Sequence, residues 1–243
     1  MGLFDLPSPL FAWLDRLAGM VLPPWLRLIV WGLLAAAVSM LLYRQLSDQD
    51  AIGRGKHRLK AAQQRLNTFD GELNDAWPLM RAMLRTALRQ VVRVGWPGMV
   101  ASLPLLFLLS WLSTSYGYVY PPAGQAPALR TQPQQYQAHW IDAPADAQAP
   151  PRILVVDGAD QLLADVALNA PVPVIHKKRW WNLLMGNPAG YLPDWAAIDR
   201  IVAPLPRQEV LSFGPGWLRN WEIMFFISLL AVSLGMKKAL KIK

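Results

Sequence analysis

Three histidines, five serines set in apolar runs and a scatter of carboxylates are the groups in this sequence that could do chemistry. His57, His139 and His176 fall in three different segments, so no stretch pairs an imidazole with a nucleophile. No HExxH, phosphate-binding glycine loop or dinucleotide fingerprint occurs either. Val155-Val156-Asp157-Gly158 puts a carboxylate after an apolar run, a pattern that suits a hairpin turn. Cysteine is absent, which excludes thiol catalysis, disulfides and Cys-ligated metal. The chain therefore reads as a non-enzyme with neither cofactor nor metal. The serines Ser39, Ser110, Ser113, Ser228 and Ser233 could instead line a partly hydrated groove; the competing use of such hydroxyls is a bond back to their own helix.

The elements that must position those serines are long and apolar. Of 243 residues 53% are hydrophobic and 16% charged, and twelve are tryptophan, a composition that points to a membrane protein rather than a soluble domain. Three runs approach the roughly 20 residues that a bilayer core demands: 25–43, 94–116 with its apolar part ending at Leu112, and 217–236. They are short crossings. Sixteen residues separate Arg27 from Arg44 and fourteen separate Glu222 from Lys237, roughly 24 and 21 Å of helix against a core of about 30 Å. Pro97 and Pro104 predict a kink in the second run.

Charge sets the expected orientation, because Lys and Arg near membrane ends stay cytoplasmic. Segment 44–93 carries ten Lys/Arg against five Asp/Glu, and the tail 237–243 adds four lysines; segment 117–216 carries seven against eight. The N-terminus and 117–216 are thus expected outside, with 44–93 and the tail in the cytoplasm. Residues 1–24 lack a basic n-region and do not read as a cleaved signal. Ser8 can cap a short helix with Pro9 at its first position, and Leu10, Phe11, Trp13, Leu14 and Leu17 gather on one side. This suits a helix lying on the outer leaflet, with a frayed leader as the alternative.

Segment 44–93 has a helical rhythm. Leu59, Ala62, Leu66, Phe69 and Leu73 recur at 3-4-3-4 spacing, and Ala76, Met80, Met83 and Ala87 continue it, as in a coiled-coil seam. Asp70-Gly71 predicts a turn, Asn74 or Asp75 a cap, and Pro78 a place in a first turn. Legs of about 44–69 and 75–93 then give an antiparallel cytoplasmic hairpin. Met80 and Met83, with Arg81, Arg85 and Arg89, are the candidate contacts for a client or partner.

Segment 117–216 holds fourteen prolines. Its first third is linker-like; RILVVDG, DVALNAPVPVIHK and RIVAPLPRQEVLSF then read as short strands of a small β-rich domain. Trp180, Trp181, Tyr191 and Trp195 form a candidate outer interface that enters the headgroup layer, or else the aromatic core of that domain.

SMLLYRQLSDQD, KAAQQRLNTFDGELNDAWPLMRAML and VGWPGMVASLPLLFLLSWL together resemble the YidC/Oxa superfamily of membrane-protein insertases. The likeness is to its three-crossing members, the archaeal YidC-like proteins and the third subunit of the endoplasmic reticulum membrane protein complex. It covers about 140 residues of the chain and leaves the outer domain aside. The resemblance implies a non-enzymatic insertase or assembly chaperone of a bacterial inner membrane. Its partners would be lipids, client membrane proteins, and a ribosome or translocon, with no nucleic acid as specific ligand. Bacterial members place a groove arginine near the end of the first core crossing, where this chain has Ser39. That departure and the large outer segment favour the other reading, a structural or accessory subunit of a larger inner-membrane complex, whereas the stalk and the short crossings favour the insertase.

Overall fold

The computed structural model describes residues 2–71, 73–144 and 149–240; the side chains of 73–75 lie outside that description. Leu73 as a seam residue, Asn74 or Asp75 as a cap, and Lys241 and Lys243 of the tail therefore lie outside the described residues. The described chain is mainly helical with a small antiparallel β part. Its contacts form two compact units, Met1–Leu28 with Leu106–Met224, and Ile29–Leu105 with Phe225–Lys243.

Five α-helices occur in chain order: α1 Ser8–Ala18, α2 Pro24–Leu46, α3 Gln49–Asn67, α4 Leu73–Ser115 and α5 Trp221–Ala239. Pro7, not Ser8, takes the cap position of α1 and makes no side-chain cap bond. The first leg of the hairpin does not run on from 44. The chain breaks at Ser47-Asp48, where Asp48 caps α3 by accepting the Ala51 N–H at 2.8 Å. α4 runs through Pro78, Pro97 and Pro104; Pro78 thus sits past the first turn, against expectation, and each proline removes one helical donor.

α2 and the Ala76–Ser115 part of α4 are long and apolar enough to cross a membrane. The third apolar run forms α5, of 19 residues, but is not among the helices that are long and apolar enough. Glu222 in its first turn and Lys237 and Lys238 in its last shorten the apolar stretch.

In the second unit, the close approaches fall at small residues. A Cβ on Gly32 of α2 would stand 2.8 Å from the backbone oxygen of Phe225 and closer still to Ser228 Oγ, so α5 can lie against α2 only at glycine. Gln90 of α4 donates to the Ile52 carbonyl of α3 at 3.1 Å, and Ile52 is buried. Leu59, Ala62, Leu66 and Phe69 are half-buried along α3, whereas its other face is exposed. On the second leg Leu79, Met83 and Ala87 are half-buried but Met80 is exposed. On this leg Leu79 is thus the more buried of the two neighbours.

In the first unit, six strands form two antiparallel three-stranded sheets. These are β1 Arg130–Gln132, β6 Arg200–Val202 and β5 Val174–His176 in that order, and β2 Gln137–Ile141, β3 Arg152–Val156 and β4 Leu162–Ala167. β1 and β2 fall in the stretch expected to be a linker. The prolines there hide a real alternation, since Tyr136, Ala138 and Trp140 pack on the core. The later strands are shorter than expected. Pro171 and Pro173 separate β4 from β5. Past β6, Pro204 and Pro206 cannot donate to a ladder, which leaves only the isolated bridge of Arg207 with Tyr118. Ile153 and Val155 of β3, Ile175 of β5 and Ile201 of β6 meet in one core with Leu168 and Ile198. Asp157 makes the β3–β4 turn, its Oδ1 accepting the N–H groups of Ala159 (2.8 Å) and Gln161 (2.9 Å).

The same unit holds α1 by a buried cluster. Arg27 Nη1 donates to Asp15 Oδ2 at 2.5 Å, and the Tyr116 hydroxyl lies 2.8 Å from both Asp15 oxygens. Both charged side chains are largely removed from water, 18% exposed for Arg27 and 12% for Asp15.

Candidate functional site

The last two turns of α2, the first half of α3, the middle of α4 and the end of α5 line an open hollow of about 490 Å³ within the second unit. Its wall is mostly apolar: Met40, Val94, Ala101 and Leu105 face it. Its polar groups are Ser39, Tyr43 and Ser102, with Lys56 and Lys237. The Ser102 hydroxyl is spent on the Met99 carbonyl at 2.7 Å. Ser39 Oγ is not: it is removed from solvent and has no hydrogen-bond partner. A desolvated hydroxyl without a partner costs free energy unless something in the cavity bonds it.

The two lysines reach this cavity from unlike places. Lys56 comes from the basic leg α3, which the cap at Asp48 turns away from α2. The Ala51 N–H, helped by Arg54 and Arg93, holds the Asp48 carboxyl below its usual pKa, so the cap stays ionised at neutral pH. Lys237 comes from the last turn of α5. Both ammonium groups are exposed. Two basic residues therefore share the lining with the neutral Ser39. Ser39, a groove candidate from the sequence, lines this hollow, and Lys56 and Lys237 line it too, although their distance along the chain hides that three elements bring them to one place.

The other serines do not join Ser39. Ser113 donates to the Ser110 carbonyl and Ser228 to the Phe225 carbonyl, both at 2.8 Å, the back-bonding alternative. Ser110 donates to Asp5 Oδ1 at 2.8 Å in the first unit, and Ser233 is half-buried on α5 outside the cavity lining.

Among the candidate contacts on α4, Met80, Arg81, Arg85 and Arg89 are exposed and Met83 turns inward. A second apolar stripe lies with the exposed ones: Trp77, Leu84, Leu88 and Val91 are each more than half exposed. With Met80 they recur at 3-4-4-3 spacing, so this face was as legible in the sequence as the seam.

The candidate outer interface divides. Trp180 and Trp195 are 79% and 81% exposed. Trp181 and Tyr191 pack on His176, with ring centroids 4.8 and 5.9 Å away. The His176 ring nitrogen Nδ1 lies 2.6 Å from the Lys177 carbonyl, which fits a donor there. The buried core residues of this stretch include Ala189, Leu192 and Ala196.

No family model matches the sequence, and no curated protein or solved structure matches it either.

Proposed function

We propose that this chain is a non-enzymatic membrane-protein insertase or assembly chaperone of the YidC/Oxa type. The observation that carries the reading is the hollow lined by Ser39: a mostly apolar groove at the end of a candidate membrane helix, with two lysines at its wall and a buried, unpartnered Ser39 hydroxyl next to it. An apolar segment can rest against Met40, Val94 and Leu105, while a carboxylate or carbonyl that precedes it meets Ser39, Lys56 and Lys237. Removing such a group from water without a partner costs several kcal/mol in hydrocarbon, so a prebuilt partner lowers the barrier to moving it inward.

The proposed topology has α2, α4 and α5 as three crossings, the third thinning the bilayer through its short apolar stretch. The N-terminus and the β-rich part lie outside a bacterial inner membrane, the hairpin of α3 and α4 inside. Its exposed stripe, Trp77, Met80, Leu84 and Leu88 among arginines, is a face for a client helix, ribosome or translocon. The same stripe also supports a second reading, an accessory subunit whose partner covers it permanently.

A photo-crosslinker at Ser102, in the cavity wall, tests the proposal. With ribosome-bound nascent chains of single-crossing membrane proteins, adducts are expected at Ser102 and none at Asp160 in the β3–β4 turn. Equal yields at both positions, or none at Ser102, would contradict it.

A further inference from the structure

Asp5 holds together three segments of the first unit that are far apart in sequence. Its Oδ2 accepts the backbone N–H groups of Gly2 and Gly186, and its Oδ1 accepts the Ser110 hydroxyl, all at 2.8 Å. Phe4 donates its N–H to the Leu184 carbonyl at 2.9 Å, and its ring meets Phe107 edge-on at 5.6 Å. Gly2 is required at this crossing of chains. A Cβ there would lie 2.6 Å from both the Gly186 nitrogen and the Leu184 oxygen, backbone atoms that cannot swing aside.

These contacts fix a level along α4. Ser110 and Phe107 lie five and eight residues before the helix ends at Ser115, roughly 8 and 12 Å at 1.5 Å per residue. The loop around Leu184 is thus level with the apolar body of α4, not beyond its end. Its side chains are built for that level: Leu6, Trp180 and Leu183 are each about two-thirds exposed or more, and Leu3 and Met185 about half.

The backbone is prepared for it as well. Leu184 and Met185 donate to the Trp181 carbonyl, Asn182 donates to the Arg179 carbonyl, and Gly186 donates to Asp5. The buried Asn182 side chain accepts the Arg179 N–H and donates to the Met185 carbonyl. Exposed apolar side chains over a loop with several backbone groups bonded internally suit hydrocarbon, where each unmet group costs several kcal/mol.

We propose that residues 2–6 and the Trp180–Met185 loop form one clasped wedge that inserts into the outer leaflet beside α4. The occupant of its exposed face is lipid, the glycerol and upper acyl-chain zone, with Trp180 at the headgroup level. This rests on the reading that α4 crosses the membrane with Ser115 outside. Such a wedge would perturb lipid packing next to the outer end of α4.

The absence of cysteine allows single-cysteine spin labels on the full chain in phosphatidylcholine–phosphatidylglycerol nanodiscs. Labels go at Leu183→Cys in the wedge, Val38→Cys in the body of α2 and Asp160→Cys in the β3–β4 turn. The expected result is that labels at 183 and 38 collide preferentially with oxygen and the label at 160 with an aqueous nickel chelate. Adding Asp5→Ala should lower the oxygen preference at 183 several-fold and leave 38 unchanged. A label at 183 as aqueous as that at 160, with 38 in lipid, overturns the wedge alone. Aqueous labels at both 183 and 38 overturn the membrane reading with it. No effect of Asp5→Ala overturns the clasp.

Discussion

Asp15 shows how much can depend on one residue without any role in chemistry. It takes a guanidinium and a phenol out of water together, and removing one partner of such a buried pair strands the other. Asp15→Ala is therefore expected to cost about 3–5 kcal/mol, and Tyr116→Phe only about 1 kcal/mol, the usual worth of one hydrogen bond. Denaturant unfolding in mild detergent measures both; equal, small effects would mean that water screens the pair. Nothing local in the sequence announces this cluster, since Asp15 and Tyr116 are 101 positions apart. Ser39 was legible because it interrupts an apolar run. Lys56 and Lys237 were not, because a basic segment and a basic tail each explain themselves by topology.

Among the elements, the helices on either side of residue 70 were legible from their period, and the strands after residue 151 from their apolar runs. β1 and β2 were not, since Pro133 and four glutamines mask an alternation that Tyr136, Ala138 and Trp140 carry. Period alone also failed to choose between Leu79 and Met80, which are adjacent and equally apolar. The structure chooses, and the choice can be checked: Leu59→Asp or Leu66→Asp should speed cytoplasmic proteolysis near Gly71, whereas Met80→Asp should leave it unchanged. Acceleration by Met80→Asp would return Met80 to the seam. The cap of α3 has a pH signature. Because the Asp48 carboxyl is held below its usual pKa, its stabilisation is complete above the unfolded-state value and is lost as pH falls through the folded one. The helicity of α3 should thus decline on acidification below the ordinary carboxylate range in wild type and show a flatter profile in Asp48→Asn, as read by hydrogen exchange at Ala51 and Ile52. Parallel profiles would show that the cap is not ionised in the folded state.

At the scale of the whole molecule, the sequence led one to expect three crossings and a small β-rich part; two helices are long and apolar enough to cross a membrane, and a small antiparallel β part is present. The third crossing is less plain, as α5 has ionisable groups at both ends of a short apolar stretch. The proposed insertase uses that shortness, and the rival accessory subunit has no need of it. The two readings part in the cell. Depletion of the protein, followed by protease protection of newly made membrane proteins with short translocated tails, separates them. An insertase predicts a several-fold rise in uninserted chains, rescued by the wild-type protein and poorly by the Lys56→Glu, Lys237→Glu double variant. Unchanged insertion, with one stoichiometric complex lost instead, would contradict it.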